Sequence, residues 1–206
     1  MSKISKLVMA AAALMTIGAA QNAYAGLVGA PLALRGVIQH IKFDSPTLTP
    51  MAFTKFCLNY AEDCKPRRRM VFRGSRVKLT DERMAALKEV NRDVNASIRF
   101  ERNNEGLSGE KWVINPATGD CNDYAVSKRH ELLARGWSAR SLLLSEVVTT
   151  WGEHHLVLVV RTSKGDLVLD NLSGHILPWT KKPYQWVRIQ TPNNPKYWAS
   201  LSERSV

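Results

Sequence analysis

The sequence predicts an α+β fold, with helices first and an antiparallel sheet after them. Two observations carry that reading. Apolar residues recur at three- and four-residue spacing over 81–98 and again after residue 120, whereas β-rich segments bounded by turn residues follow from 141 onward. No internal repeat or low-complexity linker divides the chain, so a single domain is expected.

Residues 1–25 read as a signal peptide rather than part of that domain. Lys3 and Lys6 precede an apolar stretch from Leu7 to Ala20, and Ala23-Tyr24-Ala25 gives the small-x-small pattern cut by signal peptidase. The stretch is shorter than the about 20 apolar residues of a membrane span, and it ends at Gln21-Asn22. Cleavage after Ala25 leaves 181 of the 206 residues. The expectation is an exported protein, periplasmic or secreted, without stable membrane insertion.

The net charge of +11 falls to +9 when Lys3 and Lys6 leave. Much of the excess lies in Lys65-Pro66-Arg67-Arg68-Arg69, followed by Arg73, Arg76 and Lys78. No helix-turn-helix, zinc-finger or aromatic-plus-basic motif accompanies this run, so nucleic acid is not the expected partner. A solvated loop, or a docking patch for an acidic partner, fits better.

Residues 26–79 are rich in proline and read as irregular, with Phe53, Phe56, Leu58, Val71 and Phe72 available to pin the segment to a core. Cys57 and Cys64 lie close together in this stretch, and in an oxidising compartment they should form a disulfide. The core then occupies 80–206. Thr80 reads as a helix N-cap, with Asp81 and Glu82 in the first turn. Met84, Leu87, Val90, Asn91, Val94 and Ile98 form the buried stripe of a helix over about 81–98. A polar loop runs from Glu101 to Gly119. A second helix begins near Asp120 or Cys121, buries Tyr124, Ala125, Leu132 and Leu133, and ends at about Arg135 before Gly136. Strands are expected at Ser141–Thr149, His155–Thr162, Leu167–Leu172 and Trp186–Thr191, with a turn at Ser163-Lys164-Gly165-Asp166.

Pairing Cys57 with Cys64 leaves Cys121 as the odd thiol. A lone cysteine is often a small buried apolar residue, but Asp120, Asn122 and Asp123 surround this one with polar groups. At the first turn of a helix, unpaired N–H groups and the helix dipole favour thiolate and can also donate to a developing oxyanion. Cys121 is therefore the candidate nucleophile.

A base must come from His40, His130, His154, His155 or His175. His130 lies nine residues along the helix of Cys121, and nine steps of about 100° place it on the opposite side. His40 and His175 fall in irregular segments. His154 and His155 open a strand on which neighbours face opposite sides, so one of them points to the helix layer. Asp170, a carboxylate amid apolar strand residues, could orient the imidazole. A tight turn centred on Lys164-Gly165 would set Asp170 opposite Val159. A wider loop centred near Thr162-Ser163 would set it opposite His155.

The segments Trp112 through Pro116, Gly119-Asp120-Cys121-Asn122-Asp123-Tyr124-Ala125-Val126-Ser127-Lys128, Gly152-Glu153-His154-His155-Leu156-Val157-Leu158, Gly165-Asp166-Leu167-Val168-Leu169-Asp170-Asn171 and Tyr184-Gln185-Trp186 resemble, in this order, the bacterial transglutaminase-like cysteine proteinases. The resemblance spans about residues 80–198. It implies a papain-like transglutaminase core in which the nucleophile-bearing helix packs on an antiparallel sheet. It also implies a Cys121–His155–Asp170 triad, with His155 preferred over His154 because Leu156-Val157-Leu158 follows it. No cofactor is then required for the chemistry. Members with a calcium site carry acidic residues around the cysteine, which makes Asp120, Asn122 and Asp123 the candidate ligands. Asn122 departs from the glutamate usual at its position, and Asp120 reads equally as a helix N-cap. The implied partners are a protein substrate, in one subgroup a biofilm adhesin of the cell surface, and an inner-membrane regulatory protein. Transamidation by the same thioester and a catalytically silent binding module are the competing functions.

Overall fold

The computed structural model describes residues 39–66 and 75–201; the signal segment, Val71, Phe72, Arg73 and the arginines of the basic run at 67–69 lie outside them. Strand β1 (Pro46–Thr47) is followed by helix α1 (Met51–Asn59) and a 3-10 turn at Ala61–Cys64. Helix α2 (Asp81–Ser97) comes next, then β2 (Arg99–Phe100), β3 (Thr118–Gly119) and helix α3 (Cys121–Ala134). The C-terminal half is β-rich: β4 (Leu142–Val148), β5 (His154–Thr162), β6 (Gly165–Leu169), β7 (Leu177–Pro178), β8 (Gln185–Gln190) and β9 (Trp198–Ser200). Seven strands form one antiparallel sheet in the order β1-β9-β8-β4-β5-β6-β7, while β2 and β3 form a short parallel pair. Helices before an antiparallel sheet is the expected α+β layout.

Both expected helices form where their caps place them. Thr80 accepts a hydrogen bond from the N–H of Arg83 at the start of α2. Leu87, Val90, Asn91, Val94 and Ile98 are buried as the stripe requires. At the end of α3, Gly136 takes a φ of +81°, a left-handed conformation that costs glycine little. Its N–H and that of Trp137 then satisfy carbonyls of Leu133 and Leu132.

The segment expected to be irregular holds a helix. In α1, Phe53 and Phe56 enter the core beside Trp112, with ring centroids 5.7 and 6.4 Å away, whereas Leu58 is exposed. With only Ala52, Phe53 and Phe56 buried in a nine-residue helix, tertiary packing rather than local pattern decides its formation. The expected Cys57–Cys64 disulfide is present and ties the end of α1 to the following 3-10 turn.

The central strands are buried on both faces. Leu156, Leu158 and Val160 of β5 join the core beneath the helices. Val157 and Val159 pack with Leu143, Val168, Tyr184 and Trp186 on the other side, where Ile41 also contributes. That explains an apolar run where a half-exposed strand would alternate. The β5–β6 hairpin pairs Thr162 with Gly165 and Leu158 with Leu169, a register between the two considered above. Continued by one step, it sets Asp170 opposite Val157, on the same face as His155 and one diagonal away. No helix among the described residues is long and apolar enough to cross a membrane.

The disulfide closes a loop of about eight residues, for which chain entropy gives a stabilisation of ~2–3 kcal/mol. We expect Cys57→Ser/Cys64→Ser to lower the unfolding free energy by about that amount in denaturant titration; an unchanged midpoint would show that packing of Phe53 and Phe56 alone holds α1.

Candidate active site

Cys121 is the first residue of α3, and its surroundings are fixed by the cap of that helix. Asp120 accepts from the N–H of Asn122 at 2.9 Å. Asp123 reaches back to accept from the N–H of Asp120 at 3.0 Å, and its second oxygen accepts from Val113 at 2.7 Å. This capping box leaves no room at Gly119, where an added Cβ would collide with the Asp123 carboxyl group. The sequence Gly119-Asp120-Cys121-Asn122-Asp123 is thus one locally determined unit. Asn122 turns its amide to Glu110 at 2.8 Å, and the same carboxylate oxygen accepts from the Trp112 indole at 2.8 Å.

Cys121, His154 and His155 line one cavity of about 960 Å³ together with Asp120, Asn122 and Glu110. The cavity opens beyond the start of β5, against which α3 packs. His155 is 5% exposed, and its Nε2 lies 2.9 Å from Asp170 Oδ1. Nδ1 is the ring nitrogen that Asp170 does not engage. Strand alternation assigns the ring to the face of Val157 and Val159, where it meets the edge of Tyr184 at 5.8 Å between centroids. By the same alternation His154, not His155, lies on the strand face that meets the helices, contrary to the expectation that the base is the histidine turned to the helix layer; it is 70% exposed, and its Nδ1 lies 2.8 Å from Glu146. Glu146 is shared with Arg188. His130 instead meets Asp63, and His40 meets Asp166.

Asp170 is 1% exposed and fully engaged. One oxygen faces His155 and accepts from the Leu172 N–H at 3.0 Å. The other accepts from Lys182 Nζ at 2.7 Å and the Tyr184 hydroxyl at 2.6 Å. Burial alone would raise its pKa, but the hydrogen bond and charge of His155, with those of Lys182 and Tyr184, hold it well below the usual carboxylate range. Burial pushes Lys128, on α3, down to about 7; Lys182 adds to that fall and Asp170 opposes it. Sequence reasoning missed Lys182, Tyr184, Glu110 and Lys128. Tyr184 stood within the matching segments, but only its partner in space reveals its part.

The thiol corrects one expectation. The helix N-terminus was expected to favour thiolate, yet Cys121 is pushed up to about 12. Burial is the largest cause, and the carboxylates of Asp120, Glu110 and Asp123 add to it. The Leu156 N–H, next to His155, opposes them. Burial likewise raises Asp120, and it raises Asp123 to about 6. In this pocket desolvation and like charge outweigh the dipole.

Calcium would need six to eight oxygen ligands. Asp120 and Asp123 spend oxygens on backbone N–H groups, and the Asn122 amide is turned to Glu110. No group of three or more His, Cys, Asp or Glu residues is arranged to hold a metal among the described residues. As arranged, Asp120, Asn122 and Asp123 do not fit this ion.

A cysteine opening a helix that lies on an antiparallel sheet, with a buried His–Asp pair on the strands beside it, defines the class of papain-like cysteine hydrolases. The chain belongs to the bacterial transglutaminase-like cysteine proteinases, whose sequence model matches residues 43–206. It is a transglutaminase-like cysteine peptidase. Its fold is similar to that of calcium-bound LapG from Legionella pneumophila, with a TM-score of 0.51 and 23% identity over 63% of this chain and 76% of that one. LapG of the same organism, and its EGTA-treated form, align with TM-scores of 0.48 and 0.49 at 23% and 22% identity, covering 56% and 60% of this chain and 68% and 69% of theirs. No curated protein sequence matches the chain.

Because the cap closes over Gly119, we expect Gly119→Ala to destabilise the fold by about 1–3 kcal/mol, the range for overpacking a filled site. Thermal unfolding measures this, and an unchanged Tm would mean that Asp123 can swing away without loss.

Proposed function

We propose that the protein is an exported peptidase that hydrolyses a protein substrate with a Cys121–His155–Asp170 triad. The observation that carries the reading is that His155, paired with the buried Asp170, lines the same cavity as Cys121. Burial and the neighbouring carboxylates push the Cys121 thiol up to about 12, which favours a mechanism with a base beside it. In this mechanism His155 Nδ1 takes the proton as sulfur bonds to the substrate carbonyl carbon. The N–H of Cys121 itself donates to the resulting oxyanion, since those of Asn122 and Asp123 are taken by the Asp120 carboxylate. The imidazolium then protonates the departing amine, leaving a thioester. Water, deprotonated by the same imidazole, releases the acid and restores the thiol. Asp170 holds the ring orientation throughout. Nothing in this sequence requires a cofactor.

The groove suits an extended polypeptide. Met51, Phe100, Trp151 and Leu172 are exposed apolar side chains that line the cavity around Cys121. Such surface is usually a binding site rather than idle. A surface adhesin with bulky apolar residues near the cleaved bond is the substrate we favour, with biofilm release as its setting and an inner-membrane regulatory protein as a further partner. Export to the periplasm is supported by the basic-apolar-AYA pattern of residues 1–25 and by the disulfide, which persists in oxidising compartments. Intact-mass measurement should find the secreted chain beginning at Gly26; retention of residues 1–25 would contradict export by cleavage.

Cys121→Ala and His155→Ala should each reduce turnover at least about 1,000-fold without loss of fold, as removal of nucleophile or base does in triads. His154→Ala should retain most activity; the reverse outcome would transfer the base to the His154–Glu146 pair. Product mass separates hydrolysis from transamidation, since hydrolysis adds water and transamidation adds the amine.

Calcium is bound in the Legionella protein, but Asp120, Asn122 and Asp123 as arranged here do not offer it a site. Going from EGTA to millimolar calcium should move Tm by less than about 1 °C, because a ligand stabilises only in proportion to its occupancy. A rise of several degrees would show that Asp120, Asn122 and Asp123 rearrange to bind the ion.

A further inference from the structure

We propose that Arg161, Arg140 and Arg76 form a binding site for a phosphate group, at the end of the sheet far from Cys121. Arg161 lies six residues along β5 from His155, which is about 20 Å. The site is therefore separate from the peptidase cavity, and its test does not depend on catalysis.

Arg161, near the end of β5, is a charged residue at only 6% exposure. Its guanidinium lies over the Phe43 ring at 5.2 Å, and Nη1 donates to the Ser75 hydroxyl at 2.8 Å. Its Nε is buried and meets no acceptor among the described residues. Asp166, opposite it across the hairpin, turns its carboxylate instead to His40 at 3.1 Å and the Ile41 N–H at 2.8 Å. A buried guanidinium calls for an anion, because leaving such a charge uncompensated is costly.

Two further arginines converge on it. Leu142 pairs with Val160, so Arg140, two residues before Leu142, lies beside the end of β5. Arg140 Nη2 donates to Asn193 at 3.1 Å, yet its Nε is also buried without an acceptor. Arg76 stands between Ser75, which accepts from the Arg161 side chain, and Val77, whose N–H donates to the Arg161 carbonyl at 2.9 Å. Arg76 is exposed, Arg140 half-buried and Arg161 buried, so the cluster runs from the surface inward. Burial lowers the Arg161 pKa; Asp166 opposes that fall, and the charges of Arg76 and Arg140 add to it.

Three guanidiniums against the one carboxylate of Asp166 leave two positive charges, which suits a phosphate dianion better than a single carboxylate. Buried N–H groups are nearly always paired, so the two Nε groups ask for oxygen acceptors from a ligand. Residues 67–74, which lead into Ser75, hold four arginines and no carboxylate, so they supply no counter-ion. Free phosphate and the headgroup of an anionic lipid present the same group to this site.

Isothermal titration of the secreted chain with sodium phosphate at low ionic strength tests the site, with sodium acetate as the control. One phosphate should bind, and acetate at least about 10-fold more weakly, the scale of one charge-assisted hydrogen bond. Arg140→Gln and Arg161→Gln should each weaken phosphate by at least about 10-fold. Arg76→Gln should weaken it a few-fold, as for an exposed ion pair. Should Arg161→Gln fail to fold by circular dichroism, the half-buried Arg140 and exposed Arg76 carry the test. Pelleting with vesicles separates the sources. Binding to phosphatidylglycerol but not phosphatidylcholine, displaced by free phosphate, assigns a lipid headgroup. Phosphate binding in solution without pelleting assigns the free ion. Equal affinity for acetate and phosphate, no saturable phosphate binding, or binding that every folded variant keeps would each overturn the proposal.

Discussion

Asp170 is a carboxylate at 1% exposure, and it ties the separate parts of the site to one another. A lone buried anion would be expensive, so its surroundings must supply donors, and they come from distant stretches of chain. His155 arrives from β5, Leu172 from the loop after β6, and Lys182 and Tyr184 from the connection before β8. The Asp170 carbonyl also accepts from Asn95 on α2 at 3.0 Å, so the helix layer is tied to the same point. Loss of any one donor would leave the rest holding a partly satisfied charge. The polar network therefore specifies how β6, the β7–β8 connection and α2 meet, beyond what apolar packing alone requires.

The other fixed point is the start of α3. Its capping box uses local sequence alone: Asp120, Asp123 and the space left by Gly119. Packing of α3 on β5 then brings Cys121 to the end of the strand where His155 sits. Cys121 and His155 reach one cavity by two independent routes, one local and one through the sheet register. Of the two, the register is the more demanding. A slip of a single residue in β5 would exchange His155 for His154 and carry Val157 and Val159 into the wrong core.

These routes explain what the sequence could disclose. Helices α2 and α3 were legible because caps and periodic stripes are local, and the free thiol of Cys121 because a disulfide between Cys57 and Cys64 left one cysteine over. The choice of His155, by contrast, came from resemblance, since alternation alone leaves the two histidines equivalent. The hairpin register was bracketed but not found, because Ser163, Lys164 and Gly165 are all acceptable turn residues and only the pairing of Thr162 with Gly165 selects among them. Helix α1 was hidden by its short length and by an anchor of only Ala52, Phe53 and Phe56. Lys182 reads as an ordinary surface lysine beside Lys181, and nothing in its neighbourhood announces that Asp170 lies 2.7 Å from it in space.

The charge pattern also bears on how such a site works. A helix N-terminus is the usual device for making thiolate, yet here burial and the carboxylates of Asp120, Glu110 and Asp123 keep the proton on sulfur. Those same carboxylates are part of the cap and of the Asn122–Glu110–Trp112 link, so they cannot be removed without loosening the helix start. The carboxylates that build the helix start are thus the ones that oppose a thiolate at Cys121, and the cap and the thiol cannot be tuned separately. Asp170 differs: its charge is met by Lys182 Nζ and its direction by the Tyr184 hydroxyl and the Leu172 N–H, so it presents one fixed oxygen to His155.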